Sequence, residues 1–188
     1  MDFEYNVGIM QSANLFGAWM PMGGQSDIYV ARNNLVNEYL KTKHDQLVFI
    51  DSDIGFTRDN LMDLISTPYP LVSGIYPDKG EGGDPVLVPL DGGKMKRTDM
   101  PAQGCTPVKY VPCGFLKIDR SVLQTMIDKK AVAEYGPEDK PNYQFFNGMV
   151  EDRMLLSEDY SFSLLARNLG IVPVVNFKIR LKHDGRPI

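Results

Sequence analysis

The sequence predicts an α/β protein with a mostly parallel central sheet flanked by helices. Residues 47–50 form a continuous apolar run, which is typical of strands that helices bury on both faces, and residues 70–75 predict a second buried strand. Helical patterns precede the first run and lie between the two, and this alternation indicates βαβ units. Because 188 residues can build one sizeable core but not two ordinary domains, we predict a single domain over residues 1–188.

Periodicity and capping residues predict the remaining elements. Alternating apolar residues predict a half-buried strand over residues 3–9, and residues 15–25, rich in Gly, Met and Pro, predict a loop around the only tryptophan, Trp19. Residues 77–107 show little periodicity, which is typical of a functional loop or a poorly ordered insertion. The other predictions are a helix from residue 28 capped by Ser26 or Asp27, a short helix around 61–65, strands at 110–111 and 115–118, a helix over 119–129 begun by Asp119, a helix begun by Ser157 and ended by Gly170, and extended segments at 171–175 and 177–181.

The net charge of −4 argues against nucleic acid as the main partner, since phosphate backbones attract basic surfaces. An acidic protein can still bind a phosphorylated ligand when a metal ion supplies positive charge locally. Cys105 and Cys113 form no CxxC motif, so we expect free thiols in a reducing compartment. Without a signal-peptide pattern or an apolar run near the roughly 18 residues that a membrane span requires, the sequence predicts a cytoplasmic protein or the soluble part of a larger one.

Two carboxylates follow directly on the first predicted buried strand. Asp51 and Asp53 stand where the chain leaves the carboxyl edge of the sheet, which is where open α/β sheets bind ligands. Acidic groups this close repel each other, and a hard divalent cation relieves the repulsion. The pair therefore indicates a metal site. The alternative is a pair of surface turn residues, with Asp53 starting a turn at Ile54 and Gly55.

Two further signals lie later in the chain. Glu158 and Asp159 begin a helix that Ser157 already caps, and one of them can take a proton from an acceptor hydroxyl. The alternative is a structural role at the positive end of the helix dipole. His183 follows the last predicted strand and can return to the same sheet edge to complete a metal site, unless it is a structural or solvated histidine.

The ordered set of motifs resembles the GT-A glycosyltransferases, in particular small DxD-containing members related to family 2 and to the polypeptide N-acetylgalactosaminyltransferases. The similarity extends over roughly residues 28–185. It is carried by Ala31-Arg32-Asn33, LVFIDSDIGF at 47–56, VSGIYPDK at 72–79, CGFLKI at 113–118, SEDYSF at 157–162 and His183-Asp184-Gly185.

This resemblance implies a GT-A, Rossmann-like domain and a metal-dependent hexosyltransferase. It implies Mn²⁺ or Mg²⁺ as cofactor, which would neutralise the diphosphate leaving group. The donor would be a nucleotide sugar, commonly UDP-linked, and the acceptor a hydroxyl-bearing glycan, protein or small molecule. The implied site residues are Asp53 and His183 as metal ligands, Asp51 at the metal or the donor ribose, Asp159 or Glu158 as the base of an inverting enzyme, Arg32 at the nucleotide or diphosphate, Lys79 at the donor phosphate or sugar, and Gly114 leaving room for the sugar. For Arg32 and Lys79, a solvated surface charge is the alternative.

The N-terminal end departs from the family pattern. Members of the family begin with a strand and loop that grip the nucleoside base, and no clear counterpart precedes residues 3–9. Either residues 3–9 and the Trp19 loop take over that role, or the chain is a shortened form with weakened base recognition. Two other functions stay open: a non-catalytic sugar-nucleotide-binding protein of the same fold, and an aspartate-nucleophile phosphohydrolase, for which a second acidic pair and a catalytic lysine are missing at the expected places.

Overall fold

The computed structural model describes residues 3–22, 27–79, 83–183 and 186–187. Ser26, Asp184 and Gly185, which the sequence analysis singled out, lie outside the described residues. The α-helices are α1 (Phe3–Ser12), α2 (Ile28–Leu40), α3 (Arg58–Ser66), α4 (Arg120–Asp128) and α5 (Glu158–Asn168). The strands are β1 (Gln46–Ile50), β2 (Ile54–Gly55), β3 (Leu71–Ile75), β4 (Val88–Pro89), β5 (Cys105–Tyr110), β6 (Phe115–Asp119), β7 (Ala133–Tyr135), β8 (Asn142–Gln144), β9 (Met149–Glu151), β10 (Met154–Leu156), β11 (Val174–Arg180), β12 (Lys182–His183) and β13 (Arg186–Pro187).

The central sheet is mixed and mostly antiparallel, so the prediction of a mostly parallel, Rossmann-like sheet was wrong. Its six strands are ordered β1-β6-β3-β11-β5-β4. Only β3 and β11 pair in parallel, while the other four neighbouring pairs are antiparallel. A continuous apolar run reports burial on both faces and carries no information about the direction of the neighbouring strand. The segments at 47–50 and 70–75 are strands, as predicted, but β6 lies between them.

The directions of the strands nevertheless bring the carboxyl ends of several strands to one edge of the sheet. Because β1 and β3 both run antiparallel to β6, they point the same way, and β11 runs parallel to β3. Their carboxyl ends therefore meet at one edge, which we call the site edge. The start of β6 reaches the same edge, where Phe115 pairs with Ile50. Asp51 and His183 therefore lie at the same edge, as predicted, although the topology of the sheet differs from the predicted one.

Residues 3–9 are helical, and the prediction of a strand there was wrong. They belong to α1, whose buried residues are Tyr5, Gly8 and Ser12. The spacings of three and four residues between them place these positions on one face of a helix. The alternation of Phe3, Tyr5, Val7 and Ile9 suggested a strand, but Phe3 is 79% exposed and is not part of a buried face.

Helices cover both faces of the sheet and bury two apolar clusters. On one face, Val36 of α2, Leu123 of α4 and Phe162 of α5 pack together in the larger cluster. On the other face, Tyr5 of α1 and Leu61 of α3 belong to a second cluster. Strand β1 separates the two: its Leu47 and Phe49 side chains belong to the larger cluster, while Val48 and Ile50 pack against the second.

The predicted helix starts are confirmed in position, but of the four α-helices whose N-caps the structure describes, one has a capping side chain. Asp27, Asp119 and Ser157 occupy the N-cap positions of α2, α4 and α5 without a side-chain capping hydrogen bond. Thr57, which the sequence analysis did not single out, forms a capping box with Asn60 at the start of α3. Gly170 follows α5 with a φ of 80°, and this left-handed conformation explains why glycine ends the helix there.

Both cysteines are free thiols, with Cys105 exposed and Cys113 buried. Among the described residues, no helix has the length and apolar composition that crossing a bilayer would require.

Candidate functional site

A buried arginine joins two of the predicted acidic residues at the site edge. Arg32 on α2 is 4% exposed, and its Nη2 atom lies 3.0 Å from Oδ2 and 3.3 Å from Oδ1 of Asp51. Its Nη1 atom donates a hydrogen bond to Glu158 at the start of α5. The guanidinium also lies 6.0 Å from the ring centroid of Phe49 on β1. Arg32 is therefore a buried link between two carboxylates that are 107 positions apart in the chain, and the alternative of a solvated surface charge was wrong.

Asp53 is the second carboxylate of the triplet and has different partners. Its Oδ2 atom accepts a hydrogen bond of 2.7 Å from Lys79 and lies 3.4 Å from Nε2 of His183. Partial burial alone would raise the pKa of Asp53, but the hydrogen bond and charge of Lys79, together with His183, lower it below its ordinary value. Asp53 is therefore a carboxylate at neutral pH, and two predicted metal ligands face each other.

The orientation of His183 is fixed by the backbone. Nδ1 of His183 lies 2.8 Å from the carbonyl oxygen of Pro77, which can only accept a hydrogen bond, so Nδ1 carries the proton. The imidazole is also held by strand pairing between β12 and β2, in which His183 is opposite Ile54, and by an edge-on contact with the ring of Tyr76. In the neutral ring, Nε2 therefore presents its lone pair towards Asp53.

The distance between these two groups suits a shared cation. Two ligands that each lie about 2.1 Å from an ion, at an angle of about 90–110°, are roughly 3.0–3.4 Å apart. The 3.4 Å between Nε2 of His183 and Oδ2 of Asp53 falls at the upper end of that range. A backbone carbonyl on the other ring nitrogen is the usual outer partner of a metal-bound histidine. The residues therefore fit a divalent ion with two side-chain ligands from the protein.

A third side-chain ligand is not found among the residues that the structure describes. No group of three or more His, Cys, Asp or Glu side chains there is arranged to hold a metal ion. Asp51, which was predicted to bind the metal or the donor ribose, directs both carboxylate oxygens at Arg32. A metal held by Asp53 and His183 would thus need further oxygen ligands from a bound ligand or from water.

Asp159 lies beside Glu158 but has separate partners. Its Oδ1 atom accepts hydrogen bonds from the Ser157 hydroxyl and, at 2.8 Å, from the backbone N–H of Tyr160. No described residue donates a hydrogen bond to its Oδ2 atom. The ring of Tyr160 stacks on that of Tyr110, and burial, followed by the charge of Asp159, raises the pKa of Tyr160 to about 12. Asp159 is thus a half-buried carboxylate with one oxygen oriented by the protein and one available to a ligand.

Gly114 lies at the site edge, where a side chain would collide with a neighbouring tyrosine. A Cβ atom at this position would lie 2.5 Å from the hydroxyl oxygen of Tyr76 and 3.2 Å from Cγ1 of Ile54. The backbone N–H of Gly114 donates a 2.9 Å hydrogen bond to that hydroxyl, and its carbonyl accepts one from Asp51. Packing against Tyr76 therefore explains glycine here, and room for a sugar beside it stays a prediction.

A cleft of about 900 Å³ opens next to the acidic triplet. It follows β1 from Gln46 to Asp53 and is covered by residues 15–22, with the α2 side chains of Ala31, Arg32 and Leu35 along one wall. Phe16 and Trp19 in the covering segment contact each other with ring centroids 5.4 Å apart. The same cleft is thus lined by an aromatic pair and by Asp51 and Asp53.

The structure therefore brings most of the predicted site residues together. Asp51, Arg32 and Glu158 form one linked group, and Asp53, Lys79 and His183 form a second. Sequence reasoning missed Tyr76 and the carbonyl of Pro77, although both lie within the matched segment at 72–79. A tyrosine and a proline directly after a buried strand were the available signals.

The sequence matches no protein-family model and no curated protein. Among solved structures, the chain is similar to the crystal structure of A197 from STIV, with a TM-score of 0.59 and 15% sequence identity. The match covers 95% of this chain and 78% of that chain. At this level of identity, the likeness describes the fold and leaves the function to be argued from the site.

Proposed function

We propose that this chain is a glycosyltransferase that moves a sugar from a nucleotide-diphosphate sugar to a hydroxyl acceptor with the help of Mn²⁺ or Mg²⁺. The observation that carries the proposal is the pairing of Asp53 with His183, which are 130 positions apart and lie 3.4 Å from each other. With the proton on Nδ1, the Nε2 atom of a neutral His183 and the Oδ2 atom of Asp53 would be the two ligand atoms for the ion. A UDP-linked donor remains the first candidate.

In this proposal the two linked groups have different roles. Asp53 and His183 would hold the metal, which when bound offsets the negative charge of a diphosphate leaving group. Lys79 lies 2.7 Å from Asp53 and carries a positive charge that a phosphate oxygen can attract away from the carboxylate. Arg32 holds Asp51 and Glu158 in place and in this role positions the site edge.

Asp159 is the better candidate for the base that deprotonates the acceptor. Glu158 is paired with the buried Arg32, so its carboxylate already has a protein partner. Asp159 has one oxygen oriented by Ser157 and Tyr160, which leaves the other to approach an acceptor hydroxyl.

Thermal denaturation with UDP tests the metal–diphosphate part of the proposal. UDP with Mn²⁺ is expected to raise Tm, while UDP alone or Mn²⁺ alone has a much smaller effect, because a ligand stabilises a protein in proportion to its binding free energy. Asp53→Asn should remove the joint effect. Asp63→Asn is the matched control, since Asp63 also accepts a 2.7 Å hydrogen bond from a lysine, Lys178, but lies outside the site. An equal Tm shift in Asp53→Asn and wild type would contradict the assignment.

A non-catalytic sugar-nucleotide-binding protein is the second candidate. It needs the same donor site as the first candidate and differs from it in the absence of transfer. Mn²⁺-dependent UDP binding with no release of UDP from a panel of nucleotide sugars would favour this candidate. The phosphohydrolase alternative needs Asp51 as a nucleophile, and the contact of both Asp51 oxygens with Arg32 gives it no support.

A further inference from the structure

No strand of the described residues pairs with the edge of β1 that faces away from β6, and the register with β6 identifies the backbone groups on that edge. The N–H of Asp51 donates to Gly114 and the carbonyl of Asp45 accepts from Arg120, so the odd-numbered residues of this stretch exchange hydrogen bonds with β6. In an antiparallel pair the intervening residues direct their N–H and C=O groups away from the partner. The backbone groups of Val48 and Ile50 therefore point outward, and no described residue hydrogen-bonds with them.

These outward groups border the cleft beside β1, which has the form of a slot. The Leu47 and Phe49 side chains lie in the cluster on one side of β1, and those of Val48 and Ile50 pack against the cluster on the other. The slot therefore opens between two apolar layers. At its far end the backbone of Gly17 lies so close to His44 that a Cβ atom would be 2.7 Å from the imidazole ring.

The covering segment places a large aromatic surface over this slot. Trp19 is 44% exposed and lies against Phe16, which itself packs on the second apolar cluster. An aromatic side chain that is only partly covered offers a flat face for stacking. The slot thus presents a stacking face together with a row of backbone donors and acceptors.

We infer that this slot binds the nucleobase of the donor, with the base edge hydrogen-bonded to the backbone of Val48 or Ile50 and its face stacked on Trp19. The inference rests on the proposed function for the identity of the ligand. Every nucleobase has an aromatic face and adjacent donor and acceptor atoms on its edge, which match these two features. The cleft continues from the slot to Asp51 and Asp53, so a base in the slot leaves its phosphates next to Asp53 and His183. The segment 15–22 and the β1 edge thereby take over base recognition.

The emission of Trp19 provides a direct test, because it is the only tryptophan of the chain. Uridine, cytidine, adenosine and guanosine are titrated separately into the full chain without metal, with ribose as the negative control. A change of Trp19 emission with at least one nucleoside, and none with ribose, supports the inference. No change with any nucleoside, together with no heat of binding by calorimetry, overturns it.

A proline substitution tests the role of the backbone edge. Val48→Pro removes an N–H that points away from β6, and proline is tolerated in an edge strand at such a position. We expect Val48→Pro to weaken nucleoside binding by about fivefold or more, the loss of roughly one hydrogen bond. Val48→Ala keeps the N–H and should bind nearly as well as wild type. Equal nucleoside affinity in Val48→Pro and wild type would show that the base does not accept a hydrogen bond from the Val48 N–H. The affinity of Ile50→Pro then tests the N–H of Ile50 in the same way. If both proline variants bind as wild type does, the inference fails.

Loss of stacking is measured by calorimetry with Trp19→Ala, for which we expect at least about a fivefold loss of nucleoside affinity.

Asp53→Asn separates the proposed function from the inference about the slot. One outcome is that Asp53→Asn still binds nucleoside without metal, while UDP shows no Mn²⁺-dependent effect in wild type. This outcome would contradict the proposed function and support nucleobase binding in the slot. The opposite outcome is Mn²⁺-dependent UDP binding whose affinity is unchanged in Trp19→Ala and in both proline variants. This outcome would contradict nucleobase binding in the slot and support the proposed function.

Discussion

His183 donates its Nδ1 proton to the backbone carbonyl of Pro77 across a distance of 2.8 Å. A carbonyl cannot donate in return, so this contact selects the tautomer with a lone pair on Nε2. Pro77, two residues after the end of strand β3, therefore orients the imidazole of His183, whose Nε2 lies 3.4 Å from Asp53. The contact uses a backbone atom, and substitutions at residue 77 need not disturb it.

His183→Ala is expected to weaken Mn²⁺ binding by about 10- to 100-fold, because one of two side-chain ligands is lost. Electron paramagnetic resonance of free Mn²⁺, titrated with protein and UDP, measures the change. His44→Ala removes the other histidine, which lies at the far end of the cleft, and should leave Mn²⁺ affinity unchanged. Comparable affinities in the two variants would exclude His183 as a ligand.

Lys79→Met is expected to strengthen Mn²⁺ binding severalfold when no nucleotide is present. The Lys79 ammonium competes with a cation for Oδ2 of Asp53, and its removal also takes a positive charge away from the site. Lys178→Met, which breaks an equally short pair with Asp63, is the matched control. Weaker Mn²⁺ binding in Lys79→Met than in the control would show that the lysine supports the metal site.

Asp159→Asn should retain Mn²⁺-dependent UDP binding and lose transfer by about 100-fold or more, the usual contribution of a general base. Turnover is followed as UDP release in the presence of acceptor. Glu158→Gln should instead lower thermal stability, since it leaves the buried Arg32 with one charge partner fewer. Transfer that survives Asp159→Asn and fails in Glu158→Gln would move the role of base to Glu158.

Arg32→Met is expected to destabilise the fold by about 1.5–3 kcal/mol, because the partly exposed Asp51 and Glu158 lose their charged hydrogen-bond partner. Urea denaturation measures the free energy of unfolding. Lys41→Met on the same helix breaks an exposed pair with Glu38 and should cost less than about 1 kcal/mol. A similar cost for both substitutions would mean that the buried link contributes little.

Gly114→Ala is expected to cost about 1–3 kcal/mol, because its Cβ would lie 2.5 Å from the Tyr76 hydroxyl oxygen. Tyr76→Phe removes that oxygen and should recover part of the loss in the double variant, although Cζ of the ring at 2.9 Å still crowds the methyl group. Gly148→Ala, whose Cβ would have 3.7 Å contacts, is the tolerated control. The double-mutant cycle shows no coupling if packing against Tyr76 is not the cause.

Local patterns in the sequence were sufficient to find the strand that carries the site. The apolar run at 47–50 and the carboxylates that follow it appear in the structure as β1 and the site edge. The helix starts at Asp27, Asp119 and Ser157 were found from residue type and local periodicity, although their side chains form no capping hydrogen bond.

The remaining features depend on contacts between distant segments. Whether β6 or another strand pairs with β1 is decided by the whole chain, so apolar runs could not predict an antiparallel order. The link from Arg32 to Glu158 spans 126 positions, and a lone Arg on a helix carries no sign of burial. Tyr76 and Pro77 act through a hydroxyl and a carbonyl whose partners only the folded chain supplies.

The unpaired edge of β1 also bears on self-association. An apolar strand with outward N–H and C=O groups is a template on which another chain can add a strand. Residues 15–22 line the cleft at that edge, and the acidic turn at 51–53 places two carboxylates at its end. We therefore expect substitutions that displace residues 15–22 to promote self-association.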